Sequence, residues 1–467
     1  MTDSWVDAVA IGDFNGDGRK DVVMATTTYQ SGLNPDADWR LYLYLQAADG
    51  TLATPRVLAY STADEEGAND PMVGLRTHTA MTAADLDGDG VDDIIVGRRP
   101  GLSLVYGSRT SSFSVRKVAN TTGATSGDAF TVFDLDRDGH QDIVAMNDTG
   151  GDERWGLTVY FGDATKTFSR QRYMSTLSDG EIELKQGDLN GDGLTDVAFS
   201  WLQGLSNGVE VFLNDGHGWF LPGVDYPRAP NFISTYTVSV GDFTGDGRDD
   251  MVVGGSSYDF DAHGLYLYRQ QGDGTLAPPE QLLSADIQDD ADIPDSSIAF
   301  DLNGDERDDL ILLRSGGSIG YFAGDNGWLT REANFPGPYM TWGGKTPIAA
   351  GDVDGDHCAD VAVANYNYGL VVWPGVDCAV ARQGGRPLLF WQPGGSQGAG
   401  AAGAAPPTPA MPSPPPVARP DGVRDQAASR APGSATAARR PSRTILPWLG
   451  GVAFLAFLFG WWGWRLR

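Results

Sequence analysis

Cysteine is nearly absent: the 467 residues include two, Cys358 and Cys378. That excludes a disulfide framework and a Cys-rich zinc site, and leaves either one disulfide or two unpaired thiols. Histidine is scarce as well, with five residues. His140, His217 and His357 fall in polar turns, and no Ser–His, Cys–His or phosphate-cradling motif occurs. Positive charge is thin: 33 Lys and Arg face 62 Asp and Glu, a net −29. The imbalance is local, because residues 381–467 carry ten Arg and two Asp, which leaves −37 on residues 1–380. A body this acidic repels a phosphate backbone, so nucleic acid is excluded as a partner. Helical periodicity is missing throughout residues 1–392, which excludes an α-helical body. The opening segment MTDSWVDAVAIGDF has neither a basic nor an apolar leader region, so no signal peptide is expected in this sequence.

What is present is repetition. DFNGDGRKD begins at Asp13, and six related strings follow from Asp85, Asp134, Asp188, Asp242, Asp301 and Asp352. A short alternating apolar run such as DAVAIG or YTVSVG precedes the string, and a β-branched run such as DVVMAT, DIIVG or DLILL follows it. Both read as strands, because Val and Ile pack well on a pleated, half-buried surface. A third run comes next (LYLYLQ from Leu41, LTVYFG from Leu157, VEVFLN from Val209), then a turn such as ADG or DGHG and a weaker fourth strand. The starts lie 49 to 72 residues apart. Four antiparallel strands per unit, seven times over, need neighbours to bury their faces, and stacking about an axis supplies them. The fold class expected is all-β: a seven-bladed β-propeller over residues 1–392.

Within each nine-residue string, oxygen-bearing side chains recur at positions 1, 3, 5 and 9. Calcium is a hard ion that takes six to eight oxygens. A tight turn aims alternate side chains at one centre, and the position 7 carbonyl adds a further oxygen. Loop 1 supplies Asp13, Asn15, Asp17, Asp21 and the Arg19 carbonyl. Loop 2 supplies Asp85, Asp87, Asp89, Asp93 and Val91, and loop 3 Asp134, Asp136, Asp138, Asp142 and His140. Loop 4 has Asp188, Asn190, Asp192, Asp196 and Leu194; loop 5 has Asp242, Thr244, Asp246, Asp250 and Arg248. Loop 6 offers Asp301, Asn303, Asp305, Asp309 and Arg307, and loop 7 Asp352, Asp354, Asp356, Asp360 and Cys358. Up to seven structural Ca²⁺ ions are therefore expected. Gly at position 6 permits the left-handed backbone of the sharp turn. Glu306 and His357 stand there in loops 6 and 7, and Thr244 replaces a carboxylate or amide, so loops 5 to 7 are expected to bind more weakly. A polar hairpin turn could look like one such string, but not like seven at blade spacing. An EF-hand is excluded, because its last carboxylate stands at position 12 and a helix follows.

The strings resemble the D-x-[DN]-G-D-G-x-x-D loops of the FG-GAP/VCBS repeat family, which includes the integrin α-subunit propeller. The segments VYGSRTSSF and VYFGDATKTF are similar to the Phe-Gly portion of that repeat. The resemblance implies a seven-bladed propeller, calcium on one face, and adhesion or ligand binding outside the cell. Seven calcium-like loops, where integrins carry a few, point to a bacterial surface type.

Long insertions fall on the opposite face: Thr26–Arg40 with Tyr29 and Trp39, and Tyr60–Thr79 with Asp64, Glu65 and Glu66. Shorter ones follow at Asn147–Trp155, Ser200–Asn207, Ser256–His263 and Asn365–Tyr368. Irregular loops on a rigid scaffold are where binding usually sits, and aromatics mixed with Asp and Asn suit a glycan or a protein; packed against the channel mouth they would only cap it. No enzyme chemistry is expected. A lyase-like polysaccharide activity would need a base such as His78, His263 or a lysine in that face, and a scaffold subunit of a membrane complex is the further alternative. Residues 393–444 are rich in Pro, Ala and Gly and read as a disordered linker. Ile445–Trp464 is an uncharged run long enough to span a bilayer, followed by the basic tail 465–467. LPWLG at Leu446 is similar to the sortase motif but lacks its Thr. A single-pass protein with its propeller extracellular or periplasmic is the localisation expected.

Overall fold

The computed structural model describes residues 4–28, 33–68, 79–98, 101–119, 129–148, 155–175, 183–201, 208–227, 234–256, 263–283, 294–314, 319–325, 328–335, 346–365, 368–376 and 388–389. It divides into units Met1–Ala402 and Gly403–Arg467, and the described residues belong to the first. The linker, the candidate span Ile445–Trp464 and the tail lie outside them. Among the described residues there is no helix long and apolar enough to cross a membrane.

The described strands form six four-stranded antiparallel sheets, one three-stranded sheet and one two-stranded ribbon, in chain order. Blade 1 holds β1 (Trp5–Gly12), β2 (Asp21–Thr27), β3 (Arg40–Tyr44) and β4 (Arg56–Ala59). Blade 2 holds β5 (Ala80–Ala84), β6 (Asp93–Arg98), β7 (Gly101–Val105) and β8 (Val115–Ala119). Blade 3 holds β9 (Phe130–Phe133), β10 (Asp142–Asp148), β11 (Trp155–Phe161) and β12 (Arg170–Ser175). Blade 4 holds β13 (Glu183–Gly187), β14 (Asp196–Trp201), β15 (Gly208–Phe212) and β16 (Val224–Pro227). Blade 5 holds β17 (Ser234–Gly241), β18 (Asp250–Ser256), β19 (His263–Tyr268) and β20 (Glu280–Leu283). Blade 6 holds β21 (Pro294–Phe300), β22 (Asp309–Arg314), β23 (Ile319–Asp325) and β24 (Trp328–Phe335). Blade 7 holds β25 (Ile348–Gly351), β26 (Asp360–Asn365) and β27 (Gly369–Trp373), with the short ribbon β28 (Gly375–Val376) and β29 (Leu388–Leu389) beside it.

The β-branched runs after each Asp string become second strands, and β2, β6, β22 and β26 are buried along their whole length. A strand sandwiched between two neighbouring blades has no solvent face, which is why these runs are continuous rather than alternating. The fourth strand β4 is mostly exposed, as its weaker pattern suggested. Apolar side chains gather in seven clusters, each drawn from two adjacent blades. The last joins Val9, Val22 and Met24 of blade 1 to Val353, Ala362 and Leu370 of blade 7. A parallel bridge pairs Ala8 with Thr346, and the Val9 N–H donates to the Thr346 carbonyl at 2.9 Å. These contacts close the ring. This is an all-β, seven-bladed propeller, as expected.

Candidate metal centre: the Asp loops of one face

Each Asp string links the first and second strands of its blade, and in all seven the chain turns left-handed twice. Position 6 has positive φ in Gly18, Gly90, Gly139, Gly193, Gly247, Glu306 and His357. Position 4 does too, in Gly16, Gly88, Arg137, Gly191, Gly245, Gly304 and Gly355. The second requirement was not read from the sequence, although Gly at that position in six of seven strings was its signal.

The double turn folds the main chain onto its own carboxylates. In loop 1, Asp13 accepts the N–H groups of Asp17 at 3.1 Å and Gly18 at 2.7 Å, and Asp17 accepts that of Arg19 at 3.0 Å. Asp188 of loop 4 accepts from Asp192 (3.1 Å) and Gly193 (2.8 Å), and Asp301 of loop 6 from Asp305 (3.0 Å) and Glu306 (2.9 Å). Loop 6 thus keeps the geometry without its glycine.

Position 9 has a second task. Asp21, Asp93, Asp142, Asp196, Asp250, Asp309 and Asp360 are at most 1% exposed. One oxygen of Asp142 accepts the Leu135 N–H at 3.0 Å and the other the Gly162 N–H at 2.7 Å, which ties the loop to the end of the third strand. Asp93 does this with Leu86 and Gly107, Asp196 with Leu189 and Asn214, and Asp360 with Val353 and Gly375. Burial pushes these acids up: Asp21, Asp142 and Asp250 to about 6, and Asp93, Asp196, Asp309 and Asp360 to about 7. The N–H donors pull the other way, and nearby loop carboxylates add to the rise.

Three groups of carboxylates converge, each with one oxygen per residue and all within 4.8 Å of one another: Asp85, Asp87 and Asp93; Asp134, Asp136 and Asp142; Asp352, Asp354 and Asp356. Asp136 Oδ1 is buried without a hydrogen-bond partner, as is Asn303 Oδ1. Such clustered carboxylate oxygens could hold a cation, and the all-oxygen set suits a hard one. Asn303 amide hydrogens meanwhile go inward, to Tyr321 Oη at 3.1 Å and Asp309 at 3.4 Å.

Cations already in the chain meet several loop carboxylates. Arg19 pairs with Asp17, Arg248 with Asp246, and Arg307 with Asp305. Lys166 pairs with Asp87 and Arg170 with Asp136. Position 8 also carries a role that sequence reading missed. Asp92 accepts the Asp13 N–H at 2.7 Å, Asp249 that of Asp188 at 2.7 Å, and Asp308 that of Asp242 at 3.0 Å. Each is a carboxylate of one blade holding the first residue of the preceding loop, and the Asp-Asp doublets 92–93, 249–250 and 308–309 were its mark.

The repeat boundaries now have a physical meaning, since each unit begins at position 1 of an Asp loop. Residues 13–96, 85–145, 134–199, 188–253, 242–312 and 301–363 match the family described as FG-GAP-like repeat. The chain belongs to that family. Every match opens on the first aspartate of a loop and runs through the next loop into its following strand, so the FG-GAP unit here is a blade-to-blade step. Comparison with curated proteins gives no match. Among solved structures, this FG-GAP propeller is similar to one from a study of specific recognition of non-reducing terminal N-acetylglucosamine by an Agrocybe aegerita lectin. The two are 18% identical over 71% of this chain and 80% of that one, with a TM-score of 0.48. At that score the likeness carries no argument about ligands.

On the opposite face the described residues are fewer. Trp39 is buried, with Leu41 and Leu43, in the cluster between blades 1 and 2. It is a packing residue, not a surface aromatic. Tyr60 is fully buried, and its hydroxyl donates to the Thr26 carbonyl at 2.9 Å. Tyr29, His78 and most of the shorter insertions lie outside the described residues. Cys358 is disulfide-bonded; Cys378 lies outside them.

Proposed function

We propose that this protein is a calcium-stabilised propeller, held at a membrane surface, that binds a glycan or protein ligand through the face opposite its Asp loops and performs no chemistry of its own. The observation that carries the calcium part is the convergence of carboxylates in loops 2, 3 and 7, around the buried position 9 acid in loops 2 and 3, with Asp136 Oδ1 left unpaired in its cluster. Oxygens from positions 1, 3, 5 and 9 would hold the ion, with the position 7 carbonyl. Bound there, calcium supplies the positive charge that lets the buried carboxylates stay ionised. Since position 9 is tied to the third strand, the ion also braces the blade. Extracellular calcium modules bind with Kd of roughly 10⁻⁴–10⁻³ M. At millimolar calcium each filled loop then stabilises by about 0.4–1.4 kcal/mol, and several loops together reach the scale of a whole domain's stability, roughly 5–15 kcal/mol. An extracellular or periplasmic setting, where millimolar calcium would fill such loops, fits this reading, and the apolar run Ile445–Trp464 supports the anchor.

The test is a thermal melt of the full chain in EDTA and across a calcium titration. A rise of many degrees saturating near millimolar calcium is expected. An unchanged melting temperature would reduce the loops to polar turns. Retention on a glycan array without shortened or unsaturated products would support binding over lyase activity.

A further inference from the structure

Loops 1 and 4 form a matched pair. Both offer Asp, Asn, Asp and Asp at positions 1, 3, 5 and 9. Their turns match as well, with φ of 68° and 84° at Gly16 and Gly18 against 74° and 79° at Gly191 and Gly193. Their charge differs at position 7, Arg19 against Leu194, and at position 8, where loop 4 has Thr195 and loop 1 has Lys20, turned to Asp92 of loop 2. Arg19 places its guanidinium on Asp17 Oδ2, while its Nε donates to the Gln46 carbonyl at 3.1 Å and keeps it there. In loop 4 the corresponding oxygen of Asp192 takes a neutral amide N–H from Asn190 at 3.0 Å.

Loop 5 repeats the arrangement of loop 1, and loop 6 repeats its ion pair. Arg248 sits on Asp246 Oδ2 with its Nε 3.3 Å from the Gln270 carbonyl, and Arg307 Nη2 lies 3.0 Å from Asp305 Oδ2. Arg19 and Arg248 line equivalent clefts of about 460 and 280 Å³, each shared with the preceding loop: Asp352 and Asp354 of loop 7 in the first, Asp188 and Asn190 of loop 4 in the second. All three loops have a neutral side chain at position 3: Asn15, Thr244 and Asn303.

We propose that Arg19, Arg248 and Arg307 are resident counter-cations that lower the calcium affinity of loops 1, 5 and 6, so that these loops fill after loop 4. The proposal rests on the calcium reading above. A guanidinium fixed on a ligand carboxylate neutralises part of the charge that attracts the ion and repels the ion once bound. At this separation in a solvated loop, the repulsion between a divalent and a single charge corresponds to about three- to tenfold in affinity. The propeller thus has a graded response: loop 4 fills at lower calcium, while loops 1, 5 and 6 respond only to higher concentrations.

Equilibrium dialysis of radioactive calcium against the full chain tests this through exchanges at position 7. Arg19→Leu should move one site to about three- to tenfold tighter binding, and Leu194→Arg should move one the other way. Arg19→Gln should follow Arg19→Leu, and Arg19→Lys should stay near the parent chain, which separates charge from lost packing. Arg248→Leu repeats the test in an independent loop, and far-ultraviolet circular dichroism in EDTA checks that each variant folds. Isotherms that overlay the parent's, with calcium still bound, would overturn the counter-cation role alone. A parent chain that takes up no calcium would overturn the calcium reading and this proposal together.

Discussion

Glu306 and His357 hold φ of 67° and 68° where the other five loops place glycine. An L-residue in the left-handed region costs roughly 1–2 kcal/mol. Glu306→Gly and His357→Gly should each recover about 1 kcal/mol after the glycine's own chain entropy is set against it, visible as a higher melting temperature in calcium-free buffer. The position 9 acids set a pH dependence whose sign can be worked out. Their carboxyls titrate near 3.8 in the unfolded chain and at about 6–7 when folded. Between those values the folded state holds more protons, so calcium-free stability is greatest at low pH and is lost as pH rises through 6–7. Melts without calcium should therefore fall from pH 5 to pH 8. Added calcium, which binds the ionised form, should have little effect at pH 5 and a large one at pH 8. A flat calcium-free profile would contradict the burial argument. At this scale the sequence was informative about which side chains meet, because period-two aspartates in a tight turn have few ways to point. Position 8 was marked only by the Asp-Asp doublets, and Asp92 and Asp249 have no visible partner until the neighbouring blade is in place.

In six of the seven blades a single aspartate pins two turns; in blade 5 Asp250 takes the Gln270 N–H alone. Removing the carboxylate of Asp142 leaves the Leu135 and Gly162 N–H groups without acceptors. Asp142→Ala should cost about 2–6 kcal/mol, at roughly 1–3 kcal/mol per orphaned buried donor, measured by denaturant unfolding in EDTA. Glu183, at the start of β13, ties together three inner strands: it accepts Thr237 Oγ1 at 2.7 Å, the Val238 N–H at 3.0 Å and Ser296 Oγ at 2.6 Å. Glu183→Ala should destabilise by about 3–5 kcal/mol, and Glu183→Gln, which keeps one acceptor, by less. Strand order and the Asp hairpins were legible from periodicity, since β-branched runs around a polar turn admit one pairing. Trp39 shows why the insertions were harder. It looked like part of a surface loop, yet it continues the alternation of Leu41 and Leu43 and enters the same cluster. Glu183 gave no signal, because its partners come from two later blades.

The propeller is a ring of seven similar interfaces, and blade 1 helps to close it. Its β1 packs between blade 7 and blade 2, and Thr346 serves both sides: its carbonyl takes the Val9 N–H and its hydroxyl oxygen, at 2.8 Å, the Met81 N–H. Deleting residues 1–12 should turn one sharp thermal transition into a broad one, because each blade depends on neighbours for burial. A transition that stays sharp would show that six blades cooperate without the seventh interface. Blade number was legible because the repeat is counted directly in the sequence; the closing partner was not, since Thr346 lies outside any Asp string.

The grip between blades has a direction. Gly50 of blade 1 lies so close to the Asp354 carbonyl of loop 7 that a Cβ there would come within 2.1 Å, and Gly274 of blade 5 leans on Asn190 of loop 4 in the same way. Asp92, Asp249 and Asp308 reach backward in that sense too. Emptying a loop that holds a cation would therefore disturb the following blade along the chain more directly than the preceding one, which gives the ring a handedness.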